Sequence, residues 1–559
     1  MFTLTGGLGP QCTFEGTGLV SFSFKHVAVL CAAGALLAGC ATTTTETSSG
    51  AAAGSDAAVT IGTTDKVTSL DPAGAYDNGS FNVMNQIYPF LFNTQVGATD
   101  MTPQPDIAES GEFTQPNEFT VTLKSGLTFA NGNPLTSSDV KFTFDRLIGI
   151  NDPNGPASLL GSLESVDAPD DTTVVFHLSS QNDQTFTQVL SSPAGPIVDE
   201  DVFPADSILP DADIAAGKPF AGQYSITSYS ANELIAFEKF DGYQGMLGAA
   251  KNDAMNFKYY ADSNNLKLDI EQGNIDVAYR SLSATDIESL SGNDAVQVIE
   301  GPGGEIRYLV FNMNTMPYGA TTPENDPAKA KAVRQAMASV IDREAIATDV
   351  YKGTYSPLYG HIPAGLNSAK ENFKELYGDG AGAPDVDKAR ATLEAAGVAT
   401  PVAISLQYNP DHYGPSSGDE YAAIKSQLEE SGLFTVDLQS TEWVQYNKDR
   451  VEDVYPVYQL GWFPDYSDPD NYLTPFFAKN NFVGNHYEPD NVDALIRQQV
   501  SEADPAARTG LLEQIQAITA DEIPTLPLLQ GKQIAVAKDG VNGVALDASF
   551  KFRAGAISK

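Results

Sequence analysis

Apolar and polar positions alternate in two short runs. Phe119, Val121 and Leu123 form one, and Val174, Phe176 and Leu178 form the other. A period of two places successive side chains on opposite faces, so each run predicts a half-buried strand. Elsewhere the period is helical. Val140, Phe144 and Leu147 share one face behind Thr136 and Asp139, which are spaced as a capping box. Val333, Met337, Val340 and Ile341 make a second stripe, and Ala389, Leu393 and Ala396 a third, with Gly397 placed to stop it. Tyr421, Ile424 and Leu428 predict a helix ending at Gly432, then a strand from Phe434 to Leu438. Leu511, Leu512, Ile515 and Ile518 predict a last helix before a break at Pro524 and Pro527. Strand and helix periods are interleaved throughout, which predicts an α/β architecture.

The N-terminal region follows another logic. Lys25 and His26 precede the apolar run Val27 to Leu37, which is shorter than the ~20 residues needed to span a bilayer. A basic flank, a short apolar core and small residues before a cut describe a secretory signal. The cut region reads Leu37-Ala38-Gly39-Cys40 and resembles the lipobox of bacterial lipoproteins. The expectation is therefore that Cys40 becomes the lipidated first residue of the mature chain, since two acyl chains anchor stably where one does not. Residues 41–58 have no apolar period and predict a flexible tether. Residues 1–19 fit no signal pattern, and a start further downstream, near Val20, is expected.

Composition narrows the function. The chain has 559 residues, enough for two or three domains, and a formal charge of -40. Such a surface repels phosphate, which argues against a nucleic-acid partner and against direct attraction to anionic lipid. The three cysteines, Cys12, Cys31 and Cys40, all precede the folded part. A disulfide framework, a cysteine-based metal site and a catalytic thiol are thereby excluded beyond Cys40. With five histidines, a histidine-rich metal site is not expected, and no cofactor is indicated.

Candidate catalytic motifs are weak. Gly414-Pro415-Ser416-Ser417-Gly418 matches a nucleophile-elbow pattern, but Asn409, Pro410 and Asp411 separate it from the preceding strand pattern. A loop leading into the Tyr421 helix is expected instead. The glycine-rich run 378–382 is followed by a proline-containing loop, so it is not read as a phosphate cradle.

The two tryptophans, Trp443 and Trp462, are close in sequence. Trp462 lies in Gly461-Trp462-Phe463-Pro464-Asp465-Tyr466-Ser467-Asp468-Pro469-Asp470, a mixture of aromatics, prolines and carboxylates that predicts a structured loop. An aromatic wall beside a fixed carboxylate suits a solute with a cationic end and an apolar body.

This segment resembles the G-W-x-x-D-Y-x-D-P signature of solute-binding protein family 5, the oligopeptide- and dipeptide-binding proteins of ABC importers. Further stretches resemble the family in order along the chain. They are Ser69 to Ala73 with Tyr76-Asp77, Leu123 to Phe129 with Asn131-Gly132, Gly273 to Val277, and Val333 to Ala336 with Ile341 to Arg343.

The resemblance implies a two-lobed, hinge-linked periplasmic-binding-protein (Venus-flytrap) fold with an inserted subdomain. Expected boundaries are a signal peptide at 1–39, a lipidated tether at 40–58, and lobe I at 59–98, 195–304 and 524–559. The inserted subdomain is expected at 99–194 and lobe II at 305–523. The resemblance also implies that Asp465 takes a peptide's α-ammonium group, with Trp462 and Tyr466 beside it. Trp443 matches a pocket-lining tryptophan, Arg450 a site arginine, and Asn78 an opening loop that faces ligand. Gln459 departs from the oligopeptide binders, which carry an arginine there, so the partner of a ligand carboxylate is left open. Expected partners are a peptide or other small solute, the permease subunits with their cytoplasmic ATPases, and the membrane through Cys40; the protein is expected to be a non-enzymatic monomer. The competing readings are an oligosaccharide, nickel-chelate or opine-like solute on the same fold, and a surface hydrolase using Ser416.

Overall fold

A computed structural model describes residues 58–559 apart from 99 and 415. The expected signal, Cys40 and the tether as far as residue 57 lie outside the described residues. Among the described residues, no helix is long and apolar enough to cross a membrane.

Eleven strands form one mixed sheet. One half runs Phe434–Ser440, Val402–Tyr408, Val457–Trp462, and the other Val277–Tyr279, Val59–Thr63, Ala254–Tyr259, Leu234–Lys239, Tyr224–Ser230. Two long antiparallel strands, Val296–Phe311 and Thr525–Lys538, join the halves, and the short strand Tyr355–Pro357 pairs with the second of them as the eleventh. Each long strand contributes to two cores. Leu309 and Phe311 pack with Leu526, Leu528 and Leu529 in one, whereas Ala535 and Ala537 pack in another with Val59, Ile61 and Phe257. The pairing slips between Pro302 and Ile306, where Gly303 and Gly304 stand opposite Gly531. A Cβ on Gly303 would collide with the carbonyl oxygen of Gly531, so glycine permits the two strands to approach this closely.

A separate four-stranded antiparallel sheet holds Ala108–Gln115, Glu118–Leu123, Thr173–Leu178 and Leu163–Asp170. Both runs of alternating residues are strands of this sheet, and Phe119, Val121, Val174 and Phe176 are buried. The helix Ser137–Ile150 covers it, started by the Thr136–Asp139 capping box. Asp71, fully buried, makes a bidentate pair with Arg146 of that helix and so ties it to the N-terminal segment.

The helical stripes also take their expected places, in Pro327–Val340, Val386–Ala395, Ser417–Glu430 and Pro505–Glu522. Two local expectations need correction. Pro527 does not break the chain; it lies inside Thr525–Lys538 at a second slip, where Arg307 pairs with Leu529 and Tyr308 with Pro527. A slipped position tolerates a residue that lacks an N–H. Gly461 and Trp462 are not loop residues but the end of Val457–Trp462, held by pairing with Arg307 and Ile306.

Candidate functional site

The place where the long strands pass between the halves is also where the protein is hollow. One chamber of about 230 Å³ is lined by Tyr279 to Leu282, by Gly303 to Glu305, by Gly531 to Ile534, and by Phe463 and Pro464. A second, of about 350 Å³, is lined by Tyr76 to Asn78, by Gln188 and Ser191 to Pro193, by Phe463 to Ser467, and by Ser549 to Lys551. Asn78, Phe463, Pro464 and Phe550 line both, so the chambers are neighbours behind a shared wall. Each is lined by the loop that follows Val457–Trp462 of one half and by segments that belong to or pack on the other, which makes the cavity sensitive to any relative movement of the halves.

Asp465 stands in the second chamber because of how its loop is built. The strand ends at Trp462, and the one-turn helix Pro469–Tyr472 brings Asn471 back underneath. The Asn471 side-chain oxygen accepts from Trp462 Nε1 at 3.0 Å and from the Asp465 backbone N–H at 2.9 Å. Its nitrogen donates to Asp465 Oδ2 at 3.0 Å. Asn471 therefore fixes both the backbone and the carboxylate of Asp465. The other carboxylate oxygen, Oδ1, accepts from the hydroxyl of Tyr76. Burial pushes the Asp465 carboxyl above its ordinary range, against the opposing pull of the Asn471 and Tyr76 hydrogen bonds. A half-buried carboxylate with only neutral donors is well matched to an incoming cation.

A network lies behind this loop. Asp468 forms a bidentate pair with Arg508 at 2.9 and 2.6 Å. Asp470 accepts from Tyr466 at 3.1 Å and from Thr474 at 2.5 Å. Burial, then the nearby Asp468 charge, pushes the Asp470 carboxyl up to about 6.

The other expected site residues divide. Tyr466 and Asn78 line the second chamber with Asp465. Trp462 packs edge-on against Phe476 and Phe482 and supports Asp465 through Asn471. Trp443 stacks on His412 with ring centroids 3.7 Å apart and meets neither chamber's lining. Arg450 is buried and donates to Asn447 and to the carbonyls of Phe482 and Val483, also away from both linings. Gln459, at the position that departs from the oligopeptide binders, accepts from the Asn409 N–H and donates to Ser417 Oγ, so it ties strand to loop. Ser416 is the N-cap of Ser417–Glu430, and the strand before it ends at Tyr408.

Sequence reasoning did not single out four residues of this site. Asn471 immediately follows the aromatic–carboxylate segment, six positions after Asp465, and its nearness was the available signal. Tyr76 stood in the stretch Ser69 to Asp77 that resembles the family but was given no role at the site, and Arg280 and Lys551 reach the chambers from distant parts of the chain and carry no local mark. Arg280 and Ser281 have consecutive left-handed backbones, φ 59° and 69°, a costly geometry for residues with side chains. Arg280 there faces Asp65 at 2.9 Å and lies 6.0 Å from the Phe463 ring, across the first chamber.

Residues 102–484 match the profile of the bacterial extracellular solute-binding proteins, family 5 middle region. The chain is 26% identical to the dipeptide-binding protein DppE of Bacillus subtilis over 514 residues, which covers 87% of this chain and 88% of that protein. It is 24% identical to heme-binding protein A of Haemophilus influenzae over 518 residues, 85% of this chain and 87% of the other. Among solved structures it resembles the ABC transporter substrate-binding protein CtaP of Listeria monocytogenes. That likeness has a TM-score of 0.74 and 23% identity, and covers 90% of this chain and 99% of the other.

Proposed function

The chain belongs to family 5 of the bacterial extracellular solute-binding proteins of ABC importers, with their two-lobed α/β fold, and from that premise we propose that it captures short peptides for import, with Asp465 receiving the peptide's α-ammonium group. One observation carries this reading. Asp465 lies on the wall of a chamber lined from both sides of the crossing strands, with its carboxylate half-buried, oriented by Asn471 and opposed by no cation of the protein among the described residues. An ammonium entering an apolar site needs an anionic partner there, because burying it unpaired costs several kcal/mol.

Closure of the halves about the crossing strands would sequester the peptide, since a ligand that touches both halves favours the closed form by its differential contacts. Phe463 and Phe550, on the shared wall, offer apolar surface to peptide side chains. Lipid attachment at Cys40 and delivery to permease subunits complete the proposal. It includes no catalytic step.

The direct test compares one peptide in free-amine and N-acetylated forms. Asp465→Asn should weaken the free-amine form by at least tenfold and the acetylated form by less than twofold, measured by calorimetry. Equal losses would remove Asp465 as the amine's partner.

A further inference from the structure

Three cationic side chains line the two chambers, and they are not equivalent. Arg280 faces Asp65 at 2.9 Å, and Lys532 pairs with Glu300 at 2.8 Å. Lys551 lines the second chamber, is only 5% exposed, and has no carboxylate within ion-pair distance among the described residues. Its ammonium donates to Ser191 Oγ at 2.9 Å and to Asn93 Oδ1 at 3.3 Å, both neutral acceptors, and lies 4.7 Å from the Phe90 ring.

We propose that Lys551 is the seat for an anionic group of the ligand, in the chamber whose other wall carries Asp465, so that the chamber takes a zwitterion of the short-peptide class through its carboxylate as well as its amine. This rests on the reading of Asp465 as the amine's partner and adds the second charge.

The surroundings make the seat. Lys551 is one of two buried cations on the same tail segment. Arg553, also 5% exposed, donates to the same Asn93 oxygen at 2.9 Å and to Thr94 Oγ1 at 2.9 Å. Of the two acidic groups that act on it from beyond ion-pair distance, Asp106 accepts from the Asn93 nitrogen at 3.2 Å, from Tyr243 and from the Met246 N–H. Asp547 is occupied by Ser549 and the Gly97 N–H. Burial, with Arg553 nearby, drives the Lys551 ammonium toward its neutral form when no anion is present. A carboxylate arriving in the chamber supplies the missing counter-charge. Three donors are the full capacity of an ammonium, and two are already used on neutral acceptors. One donor is left without an acceptor among these contacts.

The experiment uses the full chain and a dipeptide library in three matched forms: unblocked, C-terminally amidated and N-acetylated. The tightest unblocked member is then titrated calorimetrically in all three forms. Amidation should weaken binding at least tenfold in the wild type and less than twofold in Lys551→Met. An amide that binds the wild type as well as the free acid overturns the proposal without reference to any variant. So does a loss on amidation that persists in Lys551→Met, or one that vanishes in Arg280→Gln instead. If circular dichroism shows Lys551→Met to be misfolded, Lys551→Gln takes its place. Indifference to N-acetylation removes the Asp465 reading and leaves Lys551 to be judged on amidation alone. Failure of every library member to bind removes both.

Discussion

Tyr76 and Asp465 are separated by 389 positions, yet the hydroxyl of the first donates to the carboxylate of the second. Tyr76 belongs to the N-terminal segment packed on one half of the sheet, and Asp465 to the loop that leaves the other half. The contact occupies one acceptor of the carboxylate that the proposed ligand needs, and it bridges the cleft without ligand.

Removing this hydroxyl should loosen the ligand-free protein. A hydrogen bond to a charged group contributes about 1.5–3 kcal/mol, enough to change an open-to-closed ratio by roughly tenfold or more. Tyr76→Phe is therefore expected to show a larger radius of gyration than wild type in solution scattering without ligand. With saturating peptide the two should coincide.

Asn471 holds Asp465 from behind. In Asn471→Ala the carboxylate loses its fixed orientation, and the Trp462 indole N–H loses its acceptor. Affinity for a free-amine peptide should fall by about tenfold, equivalent to ~1.4 kcal/mol. The change in Trp462 environment should appear in intrinsic fluorescence, since the chain has only two tryptophans.

Binding should weaken on acidification. Burial raises the Asp465 carboxyl above its ordinary value of 3.8 in the ligand-free protein. An ammonium is held by the ionised form only, so affinity is full above the raised value and is lost as pH falls through it. The midpoint in a calorimetric pH series should lie above 3.8. It should move higher still in Tyr76→Phe, because the tyrosine hydrogen bond favours the ionised carboxylate.

His361 should make the fold sensitive to acid. It is buried beside Phe476 and Phe477, with Nε2 at 3.1 Å from Thr525 Oγ1, and burial lowers its pKa from 6.5 to about 3. Between those values the unfolded chain binds the proton and the folded chain does not. Stability attributable to the neutral ring is therefore complete above pH 6.5 and declines as pH falls toward 3, by roughly 1.4 kcal/mol per pH unit. Urea unfolding at pH 7 and pH 5 should show a smaller acid loss in His361→Asn than in wild type.

Gly303 should not accept a side chain. Gly303→Ala places a methyl group against the Gly531 carbonyl at the slip between the long strands. A loss of more than ~2 kcal/mol is expected, as overpacking against backbone cannot relax through a rotamer. The fall in Tm would locate the strain at the crossing, and Gly531 is not expected to relieve it.

Local order was legible in the chain because it depends on neighbours. The period of two in Phe119–Leu123 and the capping box at Thr136 fix their elements within a few residues. Local spacing does not decide the outcome where pairing overrides local preference. Pro527 continues a strand because the slip beside Tyr308 leaves its missing N–H unneeded, and Trp462 ends a strand because Ile306 pairs with it.

The sequence by itself determined the α/β interleaving, the cysteine-free folded part, the acidic surface, and a carboxylate set among aromatics at Asp465. These follow from composition and short-range spacing. Only the tertiary structure decided what meets that carboxylate. Tyr76, Arg280 and Lys551 come to the chambers from three remote segments, and the pairing of Asp65 with Arg280 and of Glu300 with Lys532 leaves Lys551 without a counter-charge. Electrostatic balance at a buried site depends on distances through space, and a linear order of residues contains none.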